Sequence, residues 1–126
     1  MEIDLPEVVA EVRAAFERYE KALNANDVDV LDASFWNDPR TIRYSLTENG
    51  YGFEAIHASR LARSRTDMTR AIMRTVITTF GRDLATANTE FQRTESGRRG
   101  RQSQTWVRMP EGWRVVSAHV SFLPTT

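Results

Sequence analysis

The fold is decided by residues 75–123, whose sequence is TVITTFGRDLATANTEFQRTESGRRGRQSQTWVRMPEGWRVVSAHVSFL. β-Branched residues dominate its first six positions, and this composition favours an extended strand. Three further strands are predicted over residues 84–94, 100–109 and 112–123. Short connections separate them, and the turn at residues 110–112, Pro-Glu-Gly, is the tightest. Strands joined in this way form an antiparallel meander.

The N-terminal segment has helical periodicity instead. Its apolar side chains recur at steps of three or four residues, at Val8, Val12, Phe16, Tyr19 and Leu23. This spacing predicts a first helix, with Asp4 as a possible cap, Pro6 in the first turn and Glu7 completing a capping box. Residues 24–27, Asn-Ala-Asn-Asp, end this helix and cap a shorter second one through residue 35.

A short strand and a third helix are predicted between these two regions. Residues 41–46 alternate as a strand does, which places Thr41, Arg43 and Ser45 on one face. Residues 48–52 contain two glycines and predict a turn. Residues 53–64 predict a helix in which Ile56, Ser59, Arg60 and Arg63 share one side. Helices that precede a run of hairpins indicate an α+β fold, in one domain spanning residues 1–126.

The composition excludes several classes of partner. Lys plus Arg and Asp plus Glu both total 17, so no overall field favours nucleic acid or an anionic membrane. The basic run at residues 98–101, Arg-Arg-Gly-Arg, stands alone at a predicted hairpin and indicates a solvated loop. The sequence therefore predicts neither a nucleic-acid nor a membrane partner.

The N-terminus and the cysteine count predict a cytoplasmic location. The first four residues, Met-Glu-Ile-Asp, are acidic and lack the apolar core of a secretory signal. No cysteine is present, which excludes disulfides and a thiolate nucleophile and fits a reducing compartment.

The missing motifs narrow the chemistry further. The sequence has no Gly-x-Ser-x-Gly elbow, no Walker-type loop and no dinucleotide fingerprint. Its two histidines, His57 and His119, are far apart and lack partners at metal-ligand spacing. We therefore expect no metal and no cofactor. His119 shares the predicted face of the last strand with Trp113 and Val115, where it could be a hydrogen-bonded sheet residue or part of a pocket.

Tyr19 and Arg43 are the candidates for a functional site. Tyr19 lies on the apolar stripe of the first helix, where its hydroxyl needs a partner that a cavity or the backbone can supply. Arg43 lies in a short strand between apolar neighbours, where its partner could be a ligand or an acidic residue across the sheet. Periodicity alone does not decide between these alternatives.

Seven segments of the sequence resemble the AtzH-like family, which includes the oxalurate-catabolism protein HpxZ. They are residues 5–8 (LPEV), 18–23 (RYEKAL), 31–36 (LDASFW), 41–44 (TIRY), 79–83 (TFGRD), 100–106 (GRQSQTW) and 112–121 (GWRVVSAHVS). This family belongs to the nuclear-transport-factor-two-like superfamily, alongside ketosteroid isomerase and the SnoaL-like cyclases. The resemblance implies a cone-shaped, curved mixed sheet wrapped around the N-terminal helices, with a pocket at the open end.

The resemblance also implies an activity and partners. Family members accompany an amidase in the breakdown of ureido compounds, and homodimers are usual. The implied reaction converts 1,3-dicarboxyurea, a small anionic ureido substrate, to allophanate by decarboxylation or amide hydrolysis. A tyrosine on the first helix and an arginine on the first strand are the family's proposed functional pair, and they match Tyr19 and Arg43. We expect Arg60, Trp36 and His119 to contribute to the substrate-binding wall.

Two other functions are compatible with the same fold. An isomerase or dehydratase of the ketosteroid-isomerase type would need an acid–base carboxylate deep in the cone, and no Asp or Glu clearly faces inward. A non-catalytic accessory protein would instead bind a small molecule and pass it to an amidase. The fold alone does not separate an enzyme from a binding module.

Overall fold

The computed structural model describes residues 1–125. Its elements, in chain order, are α1 (Pro6–Ala25), α2 (Val28–Ala33), β1 (Ile42–Tyr44), β2 (Asn49–Tyr51), α3 (Phe53–Ala62), β3 (Arg70–Phe80), β4 (Leu84–Arg93), β5 (Arg99–Met109) and β6 (Gly112–Phe122). The α+β class is confirmed, as are the three predicted helices and the four long strands. Within the described residues, no helix is both long and apolar enough to cross a membrane.

The strands form one mixed sheet in the order β2-β1-β6-β5-β4-β3. Strands β3 to β6 pair antiparallel with their chain neighbours, so the predicted meander is confirmed. Strand β1 runs parallel to β6, with Arg43 opposite Ala118. This pairing places Arg43 beside the C-terminal strand, far from it in sequence, and it positions the candidate site.

Helix α1 packs its predicted apolar stripe into the core. Val8 and Val12 are fully buried in the core cluster, together with Trp106 and Val115 from β5 and β6. Removing such side chains from water is the main driving force for folding. The stripe also carries Tyr19 inward, which places its ring at the cavity described below.

The predicted capping box at the start of α1 is wrong. Leu5 occupies the N-cap position and no side chain caps the helix. Asp4 has a positive φ of 57°, and its carboxylate accepts a hydrogen bond from the amide of Thr79 at 2.9 Å. Tertiary pairing to β3 therefore takes the carboxylate that local spacing assigned to the helix. The second cap is confirmed, since the Asp27 side chain accepts a hydrogen bond from the amide of Val30 at 3.3 Å.

The predicted turn at residues 48–52 is wrong as well, because Asn49–Tyr51 forms strand β2 against β1. Gly50 lies opposite Arg43 in this pair. A Cβ at residue 50 would come within 3.1 Å of the Arg43 carbonyl oxygen and 3.2 Å of the Ile56 side chain. The glycine that suggested a turn instead allows a strand to pack closely against α3.

A bulge in β6 changes which face His119 occupies. Thr105 pairs with Ser117, whereas Trp106 pairs with Val115, so Val116 is an extra residue in the ladder. An extra residue shifts the inward–outward alternation of the strand by one position. Trp113 and Val115 are therefore buried, but His119 is exposed. The predicted common face of these three residues is wrong for this reason.

Gly100 offers a test of the packing between β4 and β5. A Cβ at this position would overlap ring carbons of Phe91, a side chain that is 1% exposed. We expect Gly100→Ala to lower the free energy of unfolding by about 1–3 kcal/mol, the usual range for overpacking. Urea denaturation measures the change.

The double variant with Phe91→Leu is the control for this substitution. The smaller side chain removes the ring that a Cβ would meet, so Gly100→Ala should cost less in that background. Equal costs in the two backgrounds would contradict the assigned overlap.

Candidate functional site

A cavity of about 480 Å³ lies where α1 and α3 meet the β1–β6 pair. This volume is within the range that holds small ligands. Apolar side chains such as Met68 and Phe122 line part of it. The polar groups include the Tyr19 phenol and the guanidinium groups of four arginines, Arg43, Arg63, Arg70 and Arg93.

Tyr19 lies in the cavity wall and is 6% exposed. Its ring packs at a tilt against Phe35, with ring centroids 6.2 Å apart. The hydroxyl makes no hydrogen bond to another residue within 1–125, so the backbone partner that we considered for it is not found there. The phenol is therefore free to bond to a ligand.

Arg43 reaches the same cavity from β1. One terminal nitrogen, Nη2, donates to the Ser59 hydroxyl at 3.1 Å, while Nε is buried without a hydrogen-bond partner in the described chain. Burial lowers the pKa of Arg43, and the nearby Arg60 cation lowers it further. No carboxylate among residues 1–125 forms a salt bridge with this guanidinium.

Arg63 lines the cavity immediately after the end of α3. Its Nη2 donates to the side-chain oxygen of Asn26 at 3.2 Å, and its Nε is buried without a partner among the described residues. Burial lowers the pKa of Arg63 to about 10, and the Arg43 cation contributes in the same direction. The predicted helix places Arg63 on the same side as Arg60, and this is the one indication in the sequence that Arg63 faces inward.

Arg93 approaches from the end of β4. Its Nη1 donates to the carbonyl oxygens of Asp67 and Met68, the latter at 3.2 Å, and its guanidinium lies 5.6 Å from the Phe91 ring centroid. Burial lowers the pKa of Arg93 most, and the nearby Arg70 cation lowers it further. Arg93 is not among the residues predicted from the sequence. Its inward position could have been predicted from the alternation of β4, because Arg93 lies two residues after the buried Phe91 and so on the same face.

The cavity has an excess of positive charge. Two acidic residues line it, and neither pairs with Arg43 or Arg63. Glu48 is exposed, and the carboxylate of Asp67 accepts a hydrogen bond from the amide of Ser96 at 3.0 Å. Lowered arginine pKa values mean that burial and mutual repulsion raise the free energy of the charged forms. An anion bound between these guanidinium groups would lower the free energy of their charged forms.

Arg60 and Trp36, two of the predicted wall residues, do not join the cavity lining in the described part of the protein. Arg60 is 2% exposed because its Nη1 donates to the Asp32 carboxylate at 2.8 Å and its guanidinium lies over the Phe35 ring. An ion pair with the partly buried Asp32 of α2 thus keeps this cation out of the cavity. Trp36 instead stacks against the Arg40 guanidinium, 4.8 Å from the ring centroid.

His119 does line the cavity, at its exposed rim. The imidazole packs edge-on against the Tyr44 ring, with centroids 5.6 Å apart. The Tyr44 hydroxyl is in turn 3.3 Å from the Tyr51 hydroxyl. Across residues 1–125, no group of three His, Cys, Asp or Glu side chains is arranged to hold a metal ion.

The AtzH-like family model matches residues 1–126. The chain belongs to the AtzH-like family. A solved structure from Pectobacterium atrosepticum, of a protein of unknown function in the DUF3225 family, is 57% identical, with a TM-score of 0.94 over 97% of this chain and 95% of that one. A cystatin-like fold protein from Burkholderia xenovorans is 45% identical, with a TM-score of 0.94 over 100% and 99%.

More distant structures share the fold alone. A nuclear transport factor 2 (NTF2-like) superfamily protein from Salmonella enterica is 23% identical, with a TM-score of 0.77 over 95% of this chain and 94% of that one. The predicted nuclear-transport-factor-two-like fold is therefore confirmed. No curated protein matches the chain. Family membership and the ligand-sized cavity together support a protein that binds or breaks down small molecules.

Proposed function

We propose that the protein is an enzyme of ureido-compound catabolism. Its substrate is 1,3-dicarboxyurea or a related N-carboxy-urea, and its product is allophanate. One observation carries the proposal: the cavity combines a free phenol with three guanidinium groups that have no carboxylate partner among the described residues. This arrangement suits a small dianion with planar carboxylates, which arginine binds through two parallel hydrogen bonds.

In the proposed complex the two carboxylates bind at different arginines. Arg43 lies on β1 and Arg93 on β4, with β6 and β5 between them in the sheet. Arg43 binds the carboxylate that will be lost, beside the Tyr19 phenol. Arg63 and Arg93 bind the second carboxylate. Each Nε that lacks a partner would gain a charge-assisted hydrogen bond.

Decarboxylation then needs only these groups. The bond between the nitrogen and the departing carboxyl carbon breaks, and its electron pair stays on the nitrogen, shared with the urea oxygen. Arg43 stabilises this developing negative charge. Tyr19 donates its proton to the nitrogen, and the phenolate regains a proton from solvent. The products are carbon dioxide and allophanate.

Hydrolysis is the alternative for the same pair of residues. Water would add to the carboxyl carbon held by Arg43, and the bond between that carbon and the nitrogen would then break. Bicarbonate would leave, and the nitrogen would take a proton from the added water, which gives allophanate. The first inorganic carbon species released separates the two routes. A stopped-flow assay with a pH indicator detects carbon dioxide as a delayed acidification during its hydration, whereas direct release of bicarbonate shows no such phase.

Turnover of 1,3-dicarboxyurea by the purified protein tests the proposal, and Tyr19→Phe tests the role of the phenol. We expect this variant to lower kcat by about 100-fold, the lower end of general acid–base contributions. Its melting temperature should change little because the hydroxyl makes no hydrogen bond within the described chain. Tyr51→Phe is the matched control, since that ring is 61% exposed and lies outside the cavity lining.

Full activity in Tyr19→Phe would exclude the phenol as the proton donor. Saturable binding of 1,3-dicarboxyurea without turnover by the unmodified protein would instead support an accessory protein that serves an amidase. The amidase link and the homodimer stay predictions.

The isomerase hypothesis has less support from the cavity. It needs a carboxylate that is free to move a proton. Glu20 is the buried acidic residue closest to this role, but its side chain is paired with Arg70. Among the residues described, that leaves the isomerase without a free base deep in the cone.

A further inference from the structure

Gln102 is a buried cavity residue to which no role has been given. It lies on β5, lines the cavity and is 6% exposed. Its side-chain oxygen accepts a hydrogen bond from Nη2 of Arg70 at 3.2 Å. Arginine can only donate, so the atom facing it must be the oxygen of the amide and not the nitrogen.

Arg70 fixes the orientation of the Gln102 amide. Arg70 is 6% exposed and forms a buried ion pair with Glu20, to which its Nε also donates at 3.2 Å. The Arg70 guanidinium lies over the Phe91 ring, 4.4 Å from its centroid. With Arg70 fixed on two sides, the Gln102 oxygen has a fixed donor, and the NH₂ group must point the other way.

That NH₂ group has no acceptor within residues 1–125, and its nitrogen is buried. A buried donor without a partner is costly, and each such case in a folded protein needs an explanation. Because Gln102 lines the cavity, the missing acceptor can come from a ligand.

The sheet order places this donor between the two anionic ends of the proposed substrate. Strand β5 lies between β1, which carries Arg43, and β4, which carries Arg93. The carboxylates bind more strongly to arginine than to the neutral Gln102 amide, because charge-assisted hydrogen bonds are stronger than neutral ones. An uncharged carbonyl in the middle of the ligand is the acceptor that remains.

We infer that Gln102 donates a hydrogen bond to a central carbonyl oxygen and thereby selects dianions that carry a carbonyl between their two carboxylates. The inference rests on the proposed use of the cavity for a small dianion. It adds a specificity residue to that site and extends the substrate class to carbonyl-centred dicarboxylates.

Two dianions of matched length and charge test the inference through their binding affinities, without a turnover assay. Freshly dissolved 3-oxoglutarate has the charge and length of 1,3-dicarboxyurea and the same central carbonyl, and glutarate lacks only that carbonyl. Isothermal titration calorimetry of the full chain should give an affinity for 3-oxoglutarate about five- to tenfold higher than for glutarate, as one neutral hydrogen bond provides. In Gln102→Met the ratio of the two affinities should fall to about one.

Two further variants guard against a merely structural effect. Gln102→Glu keeps an oxygen facing Arg70 but removes the donor. Its added negative charge should weaken the binding of both dianions to the same extent, so the ratio of the two affinities should still fall to about one. This variant tests the inference if the methionine variant fails to fold. Gln104→Met should keep the preference. Gln104 is a buried residue of the same strand with its own unpartnered NH₂ group, but it lies outside the cavity lining.

The outcomes separate this inference from the proposed function. A preference that survives in both Gln102 variants would overturn the inference, as would equal binding of the two probes by the unmodified protein. Both results leave the dianion site intact. Failure of the unmodified protein to bind either probe would overturn the dianion site itself.

Discussion

Replacing Arg43 by lysine is expected to lower kcat for 1,3-dicarboxyurea by about 100-fold or more, the cost of removing a preorganised stabiliser of transition-state charge. Lysine keeps the positive charge but not the planar fork that binds a carboxylate through two parallel bonds. It also loses the Nε group that is buried without a partner in the described structure. A steady-state assay with purified protein measures the change.

The fold should tolerate this substitution. The Arg43 side chain makes one side-chain hydrogen bond, to Ser59, and its burial lowers its pKa. A shorter cation therefore removes little that stabilises the protein, and the melting temperature should stay within a few degrees. Arg18→Lys is the matched control, because Arg18 is exposed on α1 and should leave kcat unchanged. A kcat in Arg43→Lys within twofold of the unmodified protein would contradict the role of the guanidinium fork.

Much of the fold could be predicted because its signals are local. The four-residue steps on α1 and the β-branched start of the meander each follow from one stretch of chain. The errors lie where a tertiary contact overrides a local preference. Asp4 bonds to β3 instead of capping α1, and Gly50 packs against α3 instead of forming a turn. The bulge at Val116 has no clear sequence signature, and it changes the face of every later residue in β6.

The site could be predicted only in part. Tyr19 and Arg43 were accessible because periodicity gives their faces and the family resemblance names their positions. Arg93 and Gln102 were missed because a polar residue on an inward strand face lines a cavity only where the core leaves one. Arg60 shows the reverse case. It is as buried as the helix spacing suggests, but Asp32 on α2 neutralises it outside the cavity, and sequence spacing carries no sign of that pair.

Glu20→Leu should destabilise the protein by about 3–5 kcal/mol, the range found when one member of a buried ion pair is removed. Glu20 and Arg70 are 8% and 6% exposed, so the substitution leaves a guanidinium in the core without its carboxylate. Urea denaturation followed by circular dichroism measures the loss. Glu7→Ala breaks the exposed pair with Arg82 instead and should cost less than about 1 kcal/mol.

The double variant Glu20→Leu with Arg70→Met separates the cost of an unpaired charge from the cost of lost packing. If desolvated charge causes the loss, removing the second charge should restore most of the stability, because apolar side chains of similar volume often replace a buried pair without penalty. If the stability is not restored, the loss comes from the packing of the two side chains and not from an unpaired charge. The double variant should still lose the carbonyl preference, since Gln102 would no longer have the donor that fixes its amide. Recovered stability without recovered selectivity would mean that the pair serves the ligand site more than the fold.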